Sequence, residues 1–238
     1  GVYLSWPIEP GRLPAFVDAA RLLNIRGCSI TIPHKIDIIP LLDKTSENVR
    51  EMGACNTLYR DGEKICGENT DVIGFTAPLR KRSLSPETRV LVLGAGGVSR
   101  AAMAGLRRLG LANITLTNRR KERAEALCNE FGLLCAPWEE RGDVPADLII
   151  NTTPLGMTGA QEHETPYPRA FQDNGIAYDL IYTPFQTRFL RDAAAAGWET
   201  VSGLDMFIGQ GDAQFHLWTG HHLPEEAITA VTSALYGQ

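Results

Sequence analysis

The chain has 238 residues, of which 44% are hydrophobic and 21% charged, a composition typical of one large globular domain or two modest ones. Its formal net charge of −5 argues against a general polyanion binder, so we expect no nucleic-acid partner. The sequence contains no apolar run of membrane-spanning length and no visible secretory signal, so we expect no membrane association. Its five cysteines include no C-x-x-C pair, which favours free thiols in the cytoplasm over a metal site.

The first third of the chain alternates short apolar runs with turn signals. We predict a strand at residues 1–9 and an amphipathic helix at 11–24. A strand at 28–32, stopped by Pro33, is followed by helices around 35–42 and 45–50. Asp61–Gly62 predicts the turn of a hairpin, and segment 69–81 contains Asn69-Thr70-Asp71 before the helix-compatible stretch G-F-T-A-P-L-R-K-R.

From Arg89 onward, strands and helices alternate regularly. The predicted strands are 89–94, 113–117, 147–151, 175–181 and 198–201, and the helices between them are 97–109, 120–131 and about 186–196. Two further helices are predicted at 204–219 and 224–236. Such alternation is typical of an α/β protein with a parallel sheet covered on both faces.

A glycine-rich turn follows the first strand of this alternating region, in V-L-V-L-G-A-G-G-V-S-R from Val90 to Arg100. A strand, a glycine turn and a helix N-terminus together form a binding site for a dinucleotide pyrophosphate. Gly94 permits the tight turn and Gly96 allows close approach of the phosphates, while Ser99 replaces the usual third glycine. A purely structural glycine turn is the alternative interpretation.

The end of the second strand of this region indicates which dinucleotide binds. Asn118, Arg119 and Arg120 follow that strand, with Arg123 one turn later, and no carboxylate stands there for a ribose hydroxyl. Guanidinium groups suit a 2′-phosphate, so the sequence favours NADP over NAD. The alternative is a solvated helix start, although positive charge there is unfavourable without an anion.

Polar clusters stand where strands of the first third end, in Ser29–Lys35, Asn56-Thr57 and Asn69-Thr70-Asp71. Hydride transfer to a ketone leaves an oxyanion that a lysine can stabilise and protonate, and a carboxylate can orient the amine. Lys35 and Asp71 fit these roles chemically. A weak surface ion pair is the other interpretation of the same two residues.

The chain resembles the shikimate dehydrogenases in six motifs that occur in the family's order over almost the whole sequence. The motifs are G-C-S-I-T-I-P-H-K (27–35), G-A-C-N-T-L (53–58), G-E-N-T-D-V-I-G (67–74), residues 94–100, Asn118-Arg119 and G-L-D-M-F-I-G-Q (203–210). The resemblance implies NADP-dependent, reversible interconversion of 3-dehydroshikimate and shikimate, and hence a small-molecule substrate. It also implies a Rossmann-like NADP-binding domain at 83–202 inserted into a discontinuous α/β catalytic domain, made of 1–82 and the helices of 203–238.

The resemblance also implies roles for individual positions. Lys35 and Asp71 match the catalytic pair of the family. The positions that match substrate-binding residues are Thr31, Lys35, Asn56, Asp71, Tyr182 and Gln210. The positions that match cofactor-binding residues are Gly94, Ala95, Gly96, Gly97, Val98, Ser99, Asn118, Arg119, Arg123, Asn151, Thr152, Thr153, Leu180 and Gly203. Thr31 as a β-former, Asn56 as a turn residue, Gln210 as a solvated helix residue and Tyr182 as a half-buried aromatic are the structural alternatives.

The sequence departs from the family at two places. The chain begins at Gly1, and the family's opening strand and helix, with a serine pair for the substrate carboxylate, have no counterpart, so we expect that segment to be missing from the sequence. Ser29 stands where the family has asparagine.

Three alternatives to the main hypothesis remain open. A quinate/shikimate dehydrogenase that uses NAD is one, and a non-catalytic ligand sensor is another, although a sensor has no need for Lys35 and Asp71. An upstream fused domain is the third. The oligomeric state is expected to be monomer or homodimer.

Overall fold

The computed structural model describes residues 1–237, which form two compact units. The first unit contains residues 1–70 and 212–222, and the second contains residues 71–211 and 223–237. The predicted functional domains, with boundaries at 82–83 and 202–203, remain a prediction. The compact units divide the chain at other points, partly because Phe75 and Thr76 pack against Gly105 within the second unit.

The first unit is built on a small mixed sheet. Its strands are β1 (Gly27–Ser29), β2 (Lys44–Thr45), β3 (Thr57–Asp61) and β4 (Lys64–Glu68), in the order β1-β3-β4-β2. Its helices are α1 (Leu13–Leu22) and α2 (Glu47–Met52). The predicted hairpin is confirmed, because β3 and β4 pair antiparallel around Gly62 at φ +60. The apolar face of α1, with Leu13 and Val17, packs in one core with Leu58 and Ile65 of the sheet.

Two predictions for this unit are wrong. Residues 1–9 form no strand; instead Tyr3 donates a hydrogen bond to Ser29 Oγ (2.7 Å), and Trp6 lies against Phe16. Residues 35–42 form turns and a short 3-10 helix instead of an α-helix. An α-helix is blocked there because Pro40 lacks an N–H group and the Lys35 carbonyl already accepts a hydrogen bond from Cys55 N (2.7 Å).

The second unit contains the predicted parallel sheet. Within residues 1–237 its strands are β5 (Val90–Leu93), β6 (Ile114–Thr117), β7 (Leu134–Cys135), β8 (Leu148–Asn151), β9 (Ile176–Asp179) and β10 (Glu199–Val201), in the order β10-β9-β8-β5-β6-β7. All adjacent pairs are parallel, which confirms the α/β prediction. Only β7 was not predicted, because two exposed residues give no periodic signal.

Helices cover both faces of this sheet. They are α3 (Asp71–Leu79), α4 (Gly97–Arg108), α5 (Lys121–Phe131), α6 (Arg188–Ala195) and the first part of α7 (Gly203–Thr219), while α8 (Glu225–Tyr236) buries no residue. Side chains of β5 alternate between two cores: Val90 and Val92 face one, and Leu91 and Leu93 face the other. Because the strands are parallel, their carboxyl ends, which precede the polar loops, all lie at the same edge of the sheet.

The cysteines carry no disulfide among the described residues. Burial raises the pKa of the Cys28 thiol to about 12 and that of Cys55 to about 11. These thiols are therefore protonated at neutral pH and are poor nucleophiles. Residues 1–237 also contain no cluster of three or more His, Cys, Asp or Glu side chains arranged to hold a metal ion. None of the helices in this range combines the length and apolar content needed to cross a membrane.

Candidate functional site

The glycine turn between β5 and α4 has the geometry that the sequence predicts. Gly94 adopts φ +114, and a Cβ there would lie 2.5 Å from Thr152 Oγ1, so only glycine fits. Gly96 and Gly97 face open space, with no heavy atom within 4 Å of where a Cβ would be. The N-terminus of α4, which starts at Gly97, is thus open to an anion.

Ser99 closes this turn from inside. Its buried hydroxyl accepts a hydrogen bond from Gly96 N (2.9 Å) and lies 3.1 Å from the Gly94 carbonyl oxygen. It also lies 2.7 Å from Thr152 Oγ1. Ser99 therefore ties the turn to the segment that follows β8, a role that a glycine could not perform.

A cleft of about 400 Å³ opens beside the glycine turn, a volume within the range of small-molecule sites. Of the predicted cofactor residues, the cleft is lined by Gly94, Ala95, Gly96, Asn118, Arg119, Arg123, Thr152 and Thr153. Asn118 connects the glycine turn to the segment before α5. Its Oδ1 accepts a hydrogen bond from Ala95 N (3.2 Å), and its Nδ2 donates to Arg120 O (2.8 Å). The arginines that follow β6 thus lie on one wall of the cleft, with the glycine turn beside them.

The cleft is also lined by residues that the sequence did not single out. Trp138, Arg141, Gln161 and Glu164 line the same cleft. The Arg141 guanidinium stacks 3.9 Å from the Trp138 ring centroid, and burial lowers the pKa of Arg141. They were missed because they lie outside the strands and helices that the sequence predicts, far along the chain from the glycine turn.

The remaining predicted cofactor residues support the cleft or lie elsewhere in the second unit. Asn151 is fully buried, and its Oδ1 accepts hydrogen bonds from Thr153 N (2.9 Å) and Thr153 Oγ1 (2.7 Å). Gly203 packs against the segment after β9, since a Cβ there would lie 2.5 Å from the carbonyl oxygens of Leu180 and Ile181. Gly97, Val98 and Ser99 form the first turn of α4.

Three of the predicted substrate residues belong to the second unit. Asp71 is the first residue of α3, and Gln210 lies on α7. These two helices pack closely, because a Cβ at Gly74 would lie 2.5 Å from Met206 O and 2.8 Å from Gln210 N. Tyr182 is 41% exposed and stacks on Phe207, with ring centroids 5.0 Å apart.

The other predicted substrate residues, Thr31, Lys35 and Asn56, belong to the first unit. Thr31 is exposed and Lys35 half-buried, on the turns that follow β1. Asn56 is 3% exposed, and its Oδ1 accepts hydrogen bonds from Thr57 Oγ1 (2.7 Å) and Thr70 N (2.8 Å). The Asn56 side chain therefore holds the end of β4 against the start of β3.

Gln214 is a member of this polar cluster that sequence reasoning missed. It is 6% exposed, donates to Thr57 Oγ1 (2.9 Å) and accepts from Ser29 Oγ (2.7 Å). A glutamine on a mostly apolar helix is a weak signal, and only its burial distinguishes it from a solvated residue. At position 29 the family resemblance implies asparagine, and this chain instead has Ser29, whose hydroxyl hydrogen-bonds Gln214.

Sequence models of three related families match the chain. The shikimate dehydrogenase substrate-binding domain matches residues 1–58, shikimate/quinate 5-dehydrogenase matches 79–140, and the shikimate 5-dehydrogenase C-terminal domain matches 203–231. Shikimate dehydrogenase (NADP(+)) of Pelobacter propionicus is 56% identical over 99% of this chain and 86% of its own length. The chain belongs to the shikimate dehydrogenase family.

Solved structures of this family have the same fold. The Thermus thermophilus shikimate 5-dehydrogenase in complex with NADP(H) and shikimate is 35% identical, with a TM-score of 0.82 over 97% of this chain and 86% of that one. The Listeria monocytogenes shikimate 5-dehydrogenase in complex with shikimate and NAD is 27% identical, with a TM-score of 0.87 over 97% of this chain and 86% of that one. The resemblance drawn from the six motifs is confirmed.

Proposed function

We propose that this protein is an NADP-dependent shikimate dehydrogenase that reversibly reduces 3-dehydroshikimate to shikimate. The observation that carries the proposal is the cleft, which joins an open glycine turn to Arg119 and Arg123 within the fold of the family. The name of the 56% identical relative agrees with it. The substrate is thus a small cyclic acid.

The residues that line the cleft fit NADP. The N-terminus of α4 suits the pyrophosphate, because Gly96 and Gly97 are exposed and leave room for it. Arg119 and Arg123 are exposed on the cleft, and their guanidinium groups suit the 2′-phosphate. When bound, NADPH supplies the hydride for the ketone carbon.

Lys35 and Asp71 carry the proton chemistry in this proposal. The Lys35 ammonium donates a hydrogen bond to the ketone oxygen and then gives it a proton as the carbon is reduced. Asp71, at the start of α3, accepts hydrogen bonds from the amine and from a ring hydroxyl, which keeps the amine oriented.

Thr31, Asn56, Tyr182 and Gln210 bind the ring substituents in this proposal. They offer hydroxyl and amide groups, which match the hydroxyls of a cyclohexene acid as both donors and acceptors. In the same proposal, Leu180 and Gly203 lie beside the nicotinamide, and Asn151, Thr152 and Thr153 line the groove for the cofactor. We further propose that the enzyme is cytoplasmic, acts as a monomer or homodimer and has no nucleic-acid partner.

A cofactor and substrate matrix tests the function. The absorbance of the reduced nicotinamide is followed while shikimate or quinate is oxidised with NADP or NAD. We expect turnover with shikimate and NADP to exceed that of the other three combinations. Preferred use of NAD with both acids would instead identify a quinate/shikimate dehydrogenase, and absence of turnover in all four combinations would favour a ligand sensor.

A further inference from the structure

Asp179 is a buried carboxylate for which the proposed reaction has no direct use. It ends β9 and is fully buried in the second unit. Burial raises the pKa of its carboxyl group to about 7, although hydrogen bonds from Thr187, Ile181 and Asn151 oppose the shift. Placing an ionisable group in such a position is costly, so its presence calls for a physical explanation.

The hydrogen bonds around Asp179 suit a carboxylate better than a carboxylic acid. Its Oδ1 accepts from Asn151 Nδ2 (3.0 Å) and from Ile181 N (3.0 Å), and its Oδ2 accepts from Thr187 Oγ1 (2.6 Å). An amide N–H and a backbone N–H can only donate. Thr187 Oγ1 already accepts from Leu190 N (3.3 Å) at the start of α6. A proton on Asp179 would therefore weaken at least one of these bonds.

The hydrogen bonds continue from Asp179 to the wall of the cleft. Asn151 lies opposite Asp179 in the β8–β9 pair and holds Thr153 through the two bonds described above. Thr153 Oγ1 in turn accepts a hydrogen bond from Leu155 N (3.2 Å). Thr153 and Leu155 both line the cleft, so the carboxylate is connected to the cleft wall through a single side chain.

A second branch runs from Asp179 to the segment after β9. Ile181 N donates to the carboxylate, and Ile181 O accepts a hydrogen bond from Gly203 N (3.2 Å). The close approach of Gly203 to Leu180 and Ile181 leaves this segment little freedom to shift. One carboxylate thus fixes two neighbouring loops at the edge of the parallel sheet where open α/β folds bind ligands.

We propose that Asp179 is a positioning residue of the dinucleotide cleft, whose carboxylate holds the 151–155 and 180–181 segments in the arrangement that binds NADP. The proposal rests on the proposed function, because it takes the cleft to be the NADP site. Asp179 touches neither cofactor nor substrate. It acts through Asn151, Thr153 and the Ile181 backbone.

Substitution Asp179→Asn tests this role with little change in volume. The new side chain has a single acceptor oxygen, so its Nδ2 must face either the Asn151 and Ile181 donors or Thr187 Oγ1, which already accepts from Leu190 N; at least one of the three hydrogen bonds to Asp179 is therefore lost or reversed. We expect the dissociation constant of NADP, measured by isothermal titration calorimetry on the folded protein, to rise about tenfold or more. The KM for shikimate at saturating NADP should change much less than the KM for NADP. A merely structural role would lower the melting temperature and leave the affinity of the folded protein unchanged.

Asp147→Asn is the matched control, because it removes the same charge next to the start of β8, where Asp147 is half-exposed and paired with Arg89 (2.6 Å). It should bind NADP as the wild type does. If Asp179→Asn does not fold, Thr187→Val removes one bond to the same carboxylate and should also raise the dissociation constant. A wild-type dissociation constant in the folded Asp179 variant, or in its Thr187 substitute, overturns the proposal. Because binding is measured with NADP alone, this result is separate from a failure of shikimate turnover in the wild type.

Discussion

Cationic side chains are concentrated at the start of α5, at the end where a helix dipole favours anions. Arg120 occupies the N-cap position without a capping side-chain bond, Lys121 begins the helix, and Arg119 and Arg123 are exposed on the cleft. Like charges at the positive end of a helix dipole are unfavourable until an anion binds among them. At the scale of single residues, three arginines and a lysine therefore favour a phosphate beside the start of α5, where the neighbouring acidic side chains are Glu122 of the first turn and Glu125, 3.6 Å from Lys121.

Arg119→Ala should weaken NADP binding while leaving NAD binding almost unchanged. A charge-assisted hydrogen bond to the 2′-phosphate is worth about 1.5–3 kcal/mol, so the KM for NADP should rise roughly 10- to 100-fold. Steady-state kinetics with each cofactor give the ratio. Arg107→Ala, at the exposed end of α4, is the control and should alter neither KM. Equal losses for NADP and NAD would contradict the assignment of the 2′-phosphate site.

Lys35→Ala should lower kcat by about 10²- to 10⁴-fold, the usual contribution of a positioned proton donor. The dissociation constant of NADP should stay close to that of the wild type, because Lys35 lies on the turns after β1 and outside the residues that line the cleft. Kinetics and calorimetry on the same preparation separate the two effects. Lys44→Ala, at an exposed position of β2, is the control. Wild-type kcat in the Lys35 variant would remove this residue from the mechanism.

At the scale of elements, the β5–α4 connection depends on one glycine for two independent reasons. Gly94 adopts φ +114, which favours glycine. A Cβ at this position would also lie 2.5 Å from Thr152 Oγ1. Gly110, after α4, also has a positive φ of +77, but a Cβ there would meet nothing within 4 Å. Comparing substitutions at Gly94 and Gly110 therefore separates the cost of backbone strain from the cost of the clash with Thr152.

Gly94→Ala should destabilise the protein more than Gly110→Ala does. Backbone strain costs of order 1–3 kcal/mol at either position, and only the first adds a clash with Thr152. The unfolding free energy from denaturant titration measures both, and NADP affinity should fall only in the Gly94 variant. Equal destabilisation by the two substitutions would show that the Thr152 contact relaxes without cost.

At the scale of the whole molecule, the buried carboxylate of Asp179 makes stability depend on pH. Its folded-state pKa is raised to about 7 from an ordinary value of 3.8, chiefly by burial. The folded protein therefore binds this proton more tightly than the unfolded chain does. Burial outweighs the three hydrogen bonds that favour the carboxylate, so the contribution of Asp179 to stability is greatest below the unfolded pKa and is lost as pH rises through the folded pKa; the carboxylate that orders the two loops thus forms at the expense of stability.

The unfolding free energy of the wild type minus that of Asp179→Asn should fall between pH 5 and pH 8. The change expected from this one group is about 3 kcal/mol at most, since each pKa unit is worth about 1.36 kcal/mol. Urea titrations at several pH values measure it, and the Asp147→Asn control shows no such trend in this window. A difference that is independent of pH would mean that Asp179 keeps an ordinary pKa when folded.

Local signals in the sequence predict the alternating half of the molecule well. The predicted bounds of β5, β6, β8, β9 and β10 differ from the observed bounds by two residues or fewer, because most of these strands are apolar runs whose side chains are buried. The first third was predicted less well. Residues 35–42 have helical spacing, but Cys55 takes the Lys35 carbonyl, and that competition comes from a segment about twenty residues away.

The candidate site divides in the same way. The glycine turn, Asn118, Arg119 and Arg123 lie next to one another in sequence or at the ends of successive strands, so spacing and motif alone predict that they share a cleft. The roles of Lys35 and Asp71 stay predictions that rest on the resemblance to the family and on the chemistry of an amine beside a carboxylate.

The sequence by itself determined the parallel sheet, the dinucleotide turn and the membership of the shikimate dehydrogenase family, because these depend on short-range patterns. Only the tertiary structure decided that Gln214 joins the Asn56 and Thr57 cluster, that Trp138 and Arg141 wall the cleft, and that Asp179 holds two loops. The physical reason is burial: a side chain's exposure and hydrogen-bond partners come from distant segments, and no local pattern encodes which of them meet.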